Sequence, residues 1–302
     1  HWELPQTLQD LGGWPNLELV NHSEAYARVL FTHFGDRVKQ WLTFNEPLTF
    51  MGGYASPRGM APSINTPGIG DYLTAHTVIL SHARIYHLYN DEFRAEQKGK
   101  VGIALNVNWC EPETDSAEDI ASCEQYQQFN LGIYAHPIFS AEGDYPAVVK
   151  ARIARNSKSE GYTRSRLPSF SPEEVEYVRG TSDYFGLNFY TGYLGQAGEE
   201  GNIPSQGRDS GVLLRQDPSW PTSASSWLSV VPWGFRKEFN WIAKEYNNPP
   251  VFVTENGFSD YGGLNDTGRI YYYTSHLTEL LKAVHLDGAN VIGYTAWTLI
   301  DN

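Results

Sequence analysis

The chain has 302 residues, 41% of them hydrophobic, 19% charged and 14% aromatic, with a formal net charge of −13. That length suffices for one large domain with a sizeable core, and the acidic balance argues against nucleic acid or anionic membrane as partners, since both demand a basic surface. No run approaches the roughly 18 apolar residues of a membrane span, and no linker, charge block or repeat divides residues 1–302, which read as one domain.

Taken in chain order, residues 22–34 carry Tyr26, Val29, Leu30 and Phe34 at helical spacing after a candidate cap at Asn21 or Ser23, and Gly35 ends the run. A strand is expected over 38–44, then a helix over 72–93, a strand over 101–109 and a helix over 117–134. Ser171 opens a shorter helix over Pro172–Val178. A strand over 183–190 follows, then a helix over 233–246, a strand over 251–254, a helix over 270–285 and a strand over 291–299. Several of these strands are continuously apolar and alternate with helices, which is the pattern of a parallel sheet covered on its outer face. With a further strand end at His1-Trp2, the reading is an α/β fold of the (β/α)8 TIM barrel kind. Residues 195–229 show little periodicity and many Gly, Pro and Ser residues, so a long loop over the active site is expected there.

Only Cys110 and Cys123 are present, and a domain of this size needs no disulfide framework; both are expected to be buried thiols and not a bridge or a metal site. The nine His lack the H-E-x-x-H arrangement and no phosphate-binding loop is found, so no metal and no cofactor is expected. Asn21-His22-Ser23 and Asn265-Asp266-Thr267 fit the glycosylation acceptor pattern, which matters if the protein is secreted.

The chemistry lies at two strand ends. Trp41-Leu42-Thr43-Phe44-Asn45-Glu46-Pro47 and Val251-Phe252-Val253-Thr254-Glu255-Asn256-Gly257 each finish an apolar run with a glutamate, far apart in sequence. In a (β/α)8 barrel the carboxyl ends of the strands form the active-site face, so a barrel would deliver both carboxylates to one pocket. Glycoside hydrolysis needs such a pair: one acid protonates the leaving oxygen and a second carboxylate works at the reacting carbon. Each glutamate alone is weak evidence, because a strand-terminal Glu is more often solvated or ion-paired.

Together, Thr43-Phe44-Asn45-Glu46-Pro47 and Thr254-Glu255-Asn256-Gly257 resemble the two signature motifs of glycoside hydrolase family 1, the β-glucosidase family. His1-Trp2-Glu3-Leu4-Pro5-Gln6 resembles the family's third-strand motif, Gly186-Leu187-Asn188-Phe189-Tyr190-Thr191 its sixth-strand motif, and Gly293-Tyr294-Thr295-Ala296-Trp297 with Asp301-Asn302 its eighth. The look is closest to insect members. The resemblance implies a retaining β-glycosidase acting by double displacement on a small-molecule β-glycoside, with Glu46 as general acid/base and Glu255 as nucleophile. Glu46 must then hold a proton near neutral pH, which burial and the nearby Glu255 charge would favour, and lose it once Glu255 becomes a neutral glycosyl ester. The resemblance further implies that Tyr190 donates to Glu255 with Asn188 nearby, that His1, Trp2 and Asn45 bond sugar hydroxyls, that Trp297 lies beneath the sugar ring, and that Trp233 stacks on the aglycone. Neighbours in a regular strand point to opposite faces, so if Asn45 and Glu46 both reach the pocket the strand must end or bulge there.

Against the family pattern, strands three to eight are present, while strands one and two and a C-terminal segment are missing. The 302 residues alone are therefore expected to be inactive or nearly so; substantial turnover of an aryl β-glucoside by the isolated chain would contradict this. A thioglucosidase of the insect myrosinase kind is a close variant, for which Glu46 is permissive, and a non-catalytic, klotho-like sugar-binding protein is the alternative from another class. An extracellular more than a cytoplasmic site is expected, and the sequence does not include the region of a signal peptide. It leaves the oligomeric state open.

Overall fold

A computed structural model of the chain describes residues 3–56 and 60–300. His1, Trp2, Asp301 and Asn302 lie outside them, and with them the expectations placed on those four residues.

The framework is a five-stranded sheet in the order β1 (Gln40–Asn45), β2 (Lys100–Asn106), β4 (Phe185–Asn188), β7 (Val251–Glu255) and β8 (Val291–Tyr294), every neighbouring pair parallel. Spatial order follows chain order, and helices cross between successive strands, as along the wall of a (β/α)8 barrel. The reason is legible in the residues: Val101-Gly102-Ile103-Ala104-Leu105 of β2 and all four residues of β4 are buried, so neither strand has a solvent face to offer. The crossover helix Gly70–Leu88 is likewise buried on almost all sides, from Tyr72 through Val78 and Ile79 to Leu88. One large core joins Phe44, Ile103, Phe185, Leu187 and Val253 from the strands to Phe31, Val78, Phe235 and Phe239 from the helices. Among the described residues, β1 and β8 each have one unpaired edge, where Leu42 and Ile292 are exposed. Such edges are a site of unwanted strand pairing.

Several element boundaries differ from the sequence reading. The first long helix is Leu19–Phe34, starting three residues earlier than the periodicity suggests, so Asn21 and Ser23 lie inside it. The helix expected to reach residue 93 is α-helical only over Gly70–Leu88 and continues through a π turn, Tyr89–Phe93. The expected helix over 117–134 is likewise Ala117–Gln127, a π turn at Gln128–Gly132, and Ile133–Phe139. Helix Ala147–Ser159 had no counterpart in the reading, its low apolar content hiding a face buried through Val149 and Ile153. Ser171 does cap Pro172–Val178, in a reciprocal capping box with Glu174.

The strand expected over 101–109 stops at Asn106, and Trp109–Pro112 forms β3 of a second, three-stranded sheet with β5 (Gly192–Ala197) and β6 (Val212–Arg215). Residues 195–229 are therefore not a structureless loop. They hold the second half of β5, the short helix Gln206–Ser210 and β6, and residues 221–230 fold back on themselves through Thr222 and Ser229. Strand pairing in this sheet is supplied by partners distant in sequence, which no local pattern announces.

The same sheet overturns the reading of the cysteines. Cys110 on β3 and Cys123 on helix Ala117–Gln127 are joined in a disulfide, with Cα atoms 5.2 Å apart. Both sulfurs are buried beneath β5 at Gly195, where a Cβ would sit 2.3 Å from Cys110 Sγ and 2.5 Å from Cys123 Sγ. A glycine is required there by the bridge itself.

Candidate active site

At the carboxyl ends of the five parallel strands lies a cleft of about 730 Å3, lined by Asn45, Glu46, Asn188, Tyr190, Glu255 and Trp297 among others. Asn45, Glu46 and Asn188 reach it by departures from regular strand geometry. The β1–β2 register slips between Leu42 and Asn45, and Glu46 adopts left-handed backbone angles, φ 49° and ψ 59°, between the strand and helix Pro47–Met51. That break is what allows the adjacent Asn45 and Glu46 side chains both to line the cleft. A second slip between Leu187 and Asn188 sets Asn188 opposite Glu255.

Asn188, fully buried, ties the two sides together. Its Nδ2 donates to Glu46 Oε1 at 2.8 Å and to Asn45 Oδ1 at 3.0 Å, and its Oδ1 accepts from the Thr254 hydroxyl. The Tyr190 hydroxyl donates to Glu255 Oε2 at 2.6 Å. Burial pushes the Glu255 carboxyl above the ordinary carboxylate range; the Tyr190 hydrogen bond opposes this, the Glu46 charge adds to it, and Asn188 and Asn45 pull it back. Burial, then the hydrogen bond to Glu255, pushes the Tyr190 phenol up, so that it remains a donor.

Trp297 is 41% exposed on the cleft wall. Its backbone N–H donates to the Asn256 carbonyl oxygen at 2.9 Å and it bridges to Gly257, where a Cβ would stand 1.8 Å from the Trp297 carbonyl oxygen. Gly257 is thus fixed by close backbone approach. Asn256, also buried, donates Nδ2 to Phe189 O and to Tyr272 Oη and accepts from the Tyr294 hydroxyl, so it knits β7 to β8, to the segment after β4 and to helix Thr267–Leu286. A small separate core of Leu228, Val230 and Tyr272, with Tyr190 and Phe258 against it, supports this side of the cleft.

Trp233 does not line the cleft. It sits at the start of helix Pro232–Glu245, edge-on to Trp220 at 5.9 Å and beneath the Lys237 ammonium at 5.1 Å. The tryptophan that lines it together with Trp297 is Trp227, 48% exposed and edge-on to Tyr190 at 5.7 Å. Sequence reasoning missed it because its segment has no periodicity; its one signal was membership of the stretch expected to cover the site. Thr49, Asn106, Asp260 and Arg269 also line the cleft without having been singled out. Arg269 is paired with Asp260 at 2.8 Å and Asp266 at 3.2 Å. Among the described residues no group of three or more His, Cys, Asp and Glu side chains is arranged to hold a metal, and no helix is long and apolar enough to cross a membrane.

Comparison with known proteins agrees along the full length. The chain is 45% identical to rat (Rattus norvegicus) lactase/phlorizin hydrolase over 307 residues, covering 100% of this chain and 16% of that protein. It is 41% identical to human (Homo sapiens) cytosolic beta-glucosidase, covering 100% of this chain and 65% of that one. The solved structure of aphid myrosinase superposes with a TM-score of 0.94 at 40% identity, over 100% of this chain and 65% of that one. The chain therefore spans less than two thirds of these relatives. The family model of Glycosyl hydrolase family 1 matches residues 1–302, and with the parallel strands and their shared cleft this settles the affiliation: the chain belongs to glycosyl hydrolase family 1.

Proposed function

We propose that the protein carrying this chain is a retaining β-glycosidase acting on O-linked β-glucosides, with Glu255 as nucleophile and Glu46 as general acid/base. The observation that carries this is the placement of Glu46 and Glu255 on one cleft with Asn188 bonded to the first and Tyr190 to the second. In the first step Glu255 attacks the anomeric carbon while Glu46 gives its proton to the leaving oxygen, forming a glycosyl ester. In the second, Glu46 takes a proton from water, which attacks the same carbon and releases Glu255. In this reading Asn45 bonds the sugar's hydroxyl beside the reacting carbon, Trp297 underlies the ring and Trp227, in place of Trp233, walls the aglycone; that all three line the cleft supports it. The full-length protein should hydrolyse an aryl β-glucoside and release the β-anomer first, followed by NMR; release of the α-anomer first would rule out double displacement.

Tyr190 supplies a second test. Removing a donor to the charged form of a carboxyl disfavours that form, so Glu255 in Tyr190→Phe should keep its proton to higher pH. The acidic limb of kcat/KM is then expected to move up by about one pH unit. An unmoved limb would mean that the 2.6 Å bond does not act on Glu255.

The likeness to aphid myrosinase favours thioglucoside hydrolysis as a second reading. Comparing kcat/KM for a glucosinolate and an aryl O-glucoside separates the two. A sugar-binding protein without catalysis is disfavoured by the retention of both carboxylates. The Cys110–Cys123 bridge supports an oxidising, extracellular setting.

A further inference from the structure

Behind Glu46 stand two residues to which the catalytic steps assign no task. Thr49, on helix Pro47–Met51, donates its hydroxyl to Glu46 Oε2 at 3.0 Å, and Asn106, the last residue of β2, donates Nδ2 to the Thr49 oxygen at 3.0 Å. The direction of this chain follows from its inventory of hydrogens. With the Thr49 oxygen accepting from Asn106, its single hydrogen goes to the carboxyl, and a donor polarised in this way bonds more strongly than a lone hydroxyl. On the other oxygen, Oε1, the donor is Asn188, which cannot turn because its own carbonyl accepts from Thr254.

Glu46 has particular need of such a hold. Its left-handed backbone lies at the break between strand and helix, so neither element's regular geometry aims its side chain. With one donor on each oxygen, the plane of the carboxyl is fixed from both sides. The charged and titratable groups facing it are Glu255 from the end of β7 and Tyr190 from beyond β4, with Asp260 and Arg269 also on the cleft. No titratable side chain comes from helix Pro47–Met51 or from the end of β2.

We propose that Thr49, braced by Asn106, is a positioning residue that holds the Glu46 carboxyl plane and stabilises its charged form, the form that acts as base in the second step. This rests on the assignment of Glu46 as acid/base.

In the full-length protein, Thr49→Val removes the donor while preserving shape. The alkaline limb of kcat/KM is expected to move up by about one pH unit, a tenfold change in proton affinity, and Thr49→Ser to return it. Asn106→Leu should move it the same way by less. With a dinitrophenyl β-glucoside, whose departure needs no acid, Thr49→Val should lower kcat roughly tenfold at neutral pH, with KM falling in parallel so that kcat/KM is unchanged. A limb that stays in place in Thr49→Val, or a Thr49→Ser protein that behaves like it, overturns the proposal. A Glu46→Gln control keeps the two failures apart: undiminished turnover of a nitrophenyl β-glucoside by that variant removes the acid/base assignment itself, whereas impaired Glu46→Gln with an unmoved Thr49→Val limb removes only the role of Thr49.

Discussion

Replacing Glu255 with Gln in the full-length protein is expected to reduce turnover of an aryl β-glucoside on the order of 10^4-fold while leaving ligand binding largely intact. The amide keeps the shape of the carboxyl and can still accept a hydrogen bond from Tyr190, so the cleft wall is preserved. What disappears is the negative oxygen that forms the bond to carbon, and no other group at the end of β7 replaces it: Thr254 is committed to Asn188, and Asn256 to Phe189, Tyr272 and Tyr294. Calorimetric titration with a non-hydrolysed glucoside analogue measures binding, and a burst assay measures the covalent step. Turnover close to that of the parent would end the case for Glu255 as nucleophile.

The second large effect is on stability. Asp209→Ala should destabilise the fold by ~3–5 kcal/mol, because it leaves the buried Arg166 with Glu160 as its remaining carboxylate partner and takes the acceptor from Tyr72 and Asn156. Asp209 is completely buried and accepts a two-pronged hydrogen bond from Arg166 at 2.8 Å on each arm, together with Tyr72 at 2.6 Å and Asn156 at 2.7 Å. The Arg166 side chain is itself only 1% exposed. This cluster fastens helix Gln206–Ser210, between β5 and β6, to helices Gly70–Leu88 and Ala147–Ser159. Loss of a few kcal/mol is a large share of the ~5–15 kcal/mol that holds a typical domain together. Removing both charges, as in Asp209→Leu with Arg166→Met, should recover part of the loss, since the pair becomes apolar and Glu160 keeps its ion pair with Arg208 at 2.9 Å. Denaturant unfolding of the single and double variants checks this; a loss below about 1 kcal/mol in Asp209→Ala would show that the cluster is not a stabilising anchor.

The chemistry of the site was readable where residue type and strand termination coincide. Glu46 and Glu255 each follow an apolar run, and the bend demanded by adjacent Asn45 and Glu46 corresponds to the left-handed backbone at Glu46. Buried parallel strands such as β2 and β4 announce themselves as unbroken apolar runs, because burial on two faces leaves no polar alternation. Residues 195–229 gave no such signal. Their strands are short, β6 buries only its first residue, and β5 takes its parallel partner from the distant β3.

The amino-acid order by itself determined the alternation of strands and helices, the two acidic strand ends and the family resemblance, since these depend on local composition and on motifs a few residues long. Only the tertiary structure decided that Cys110 meets Cys123, that Trp227 and not Trp233 faces the cleft, and that Thr49 and Asn106 stand behind Glu46. Each of those depends on the distance between groups carried by different elements, a quantity set by how strands register and helices dock and not by any property of the separate segments.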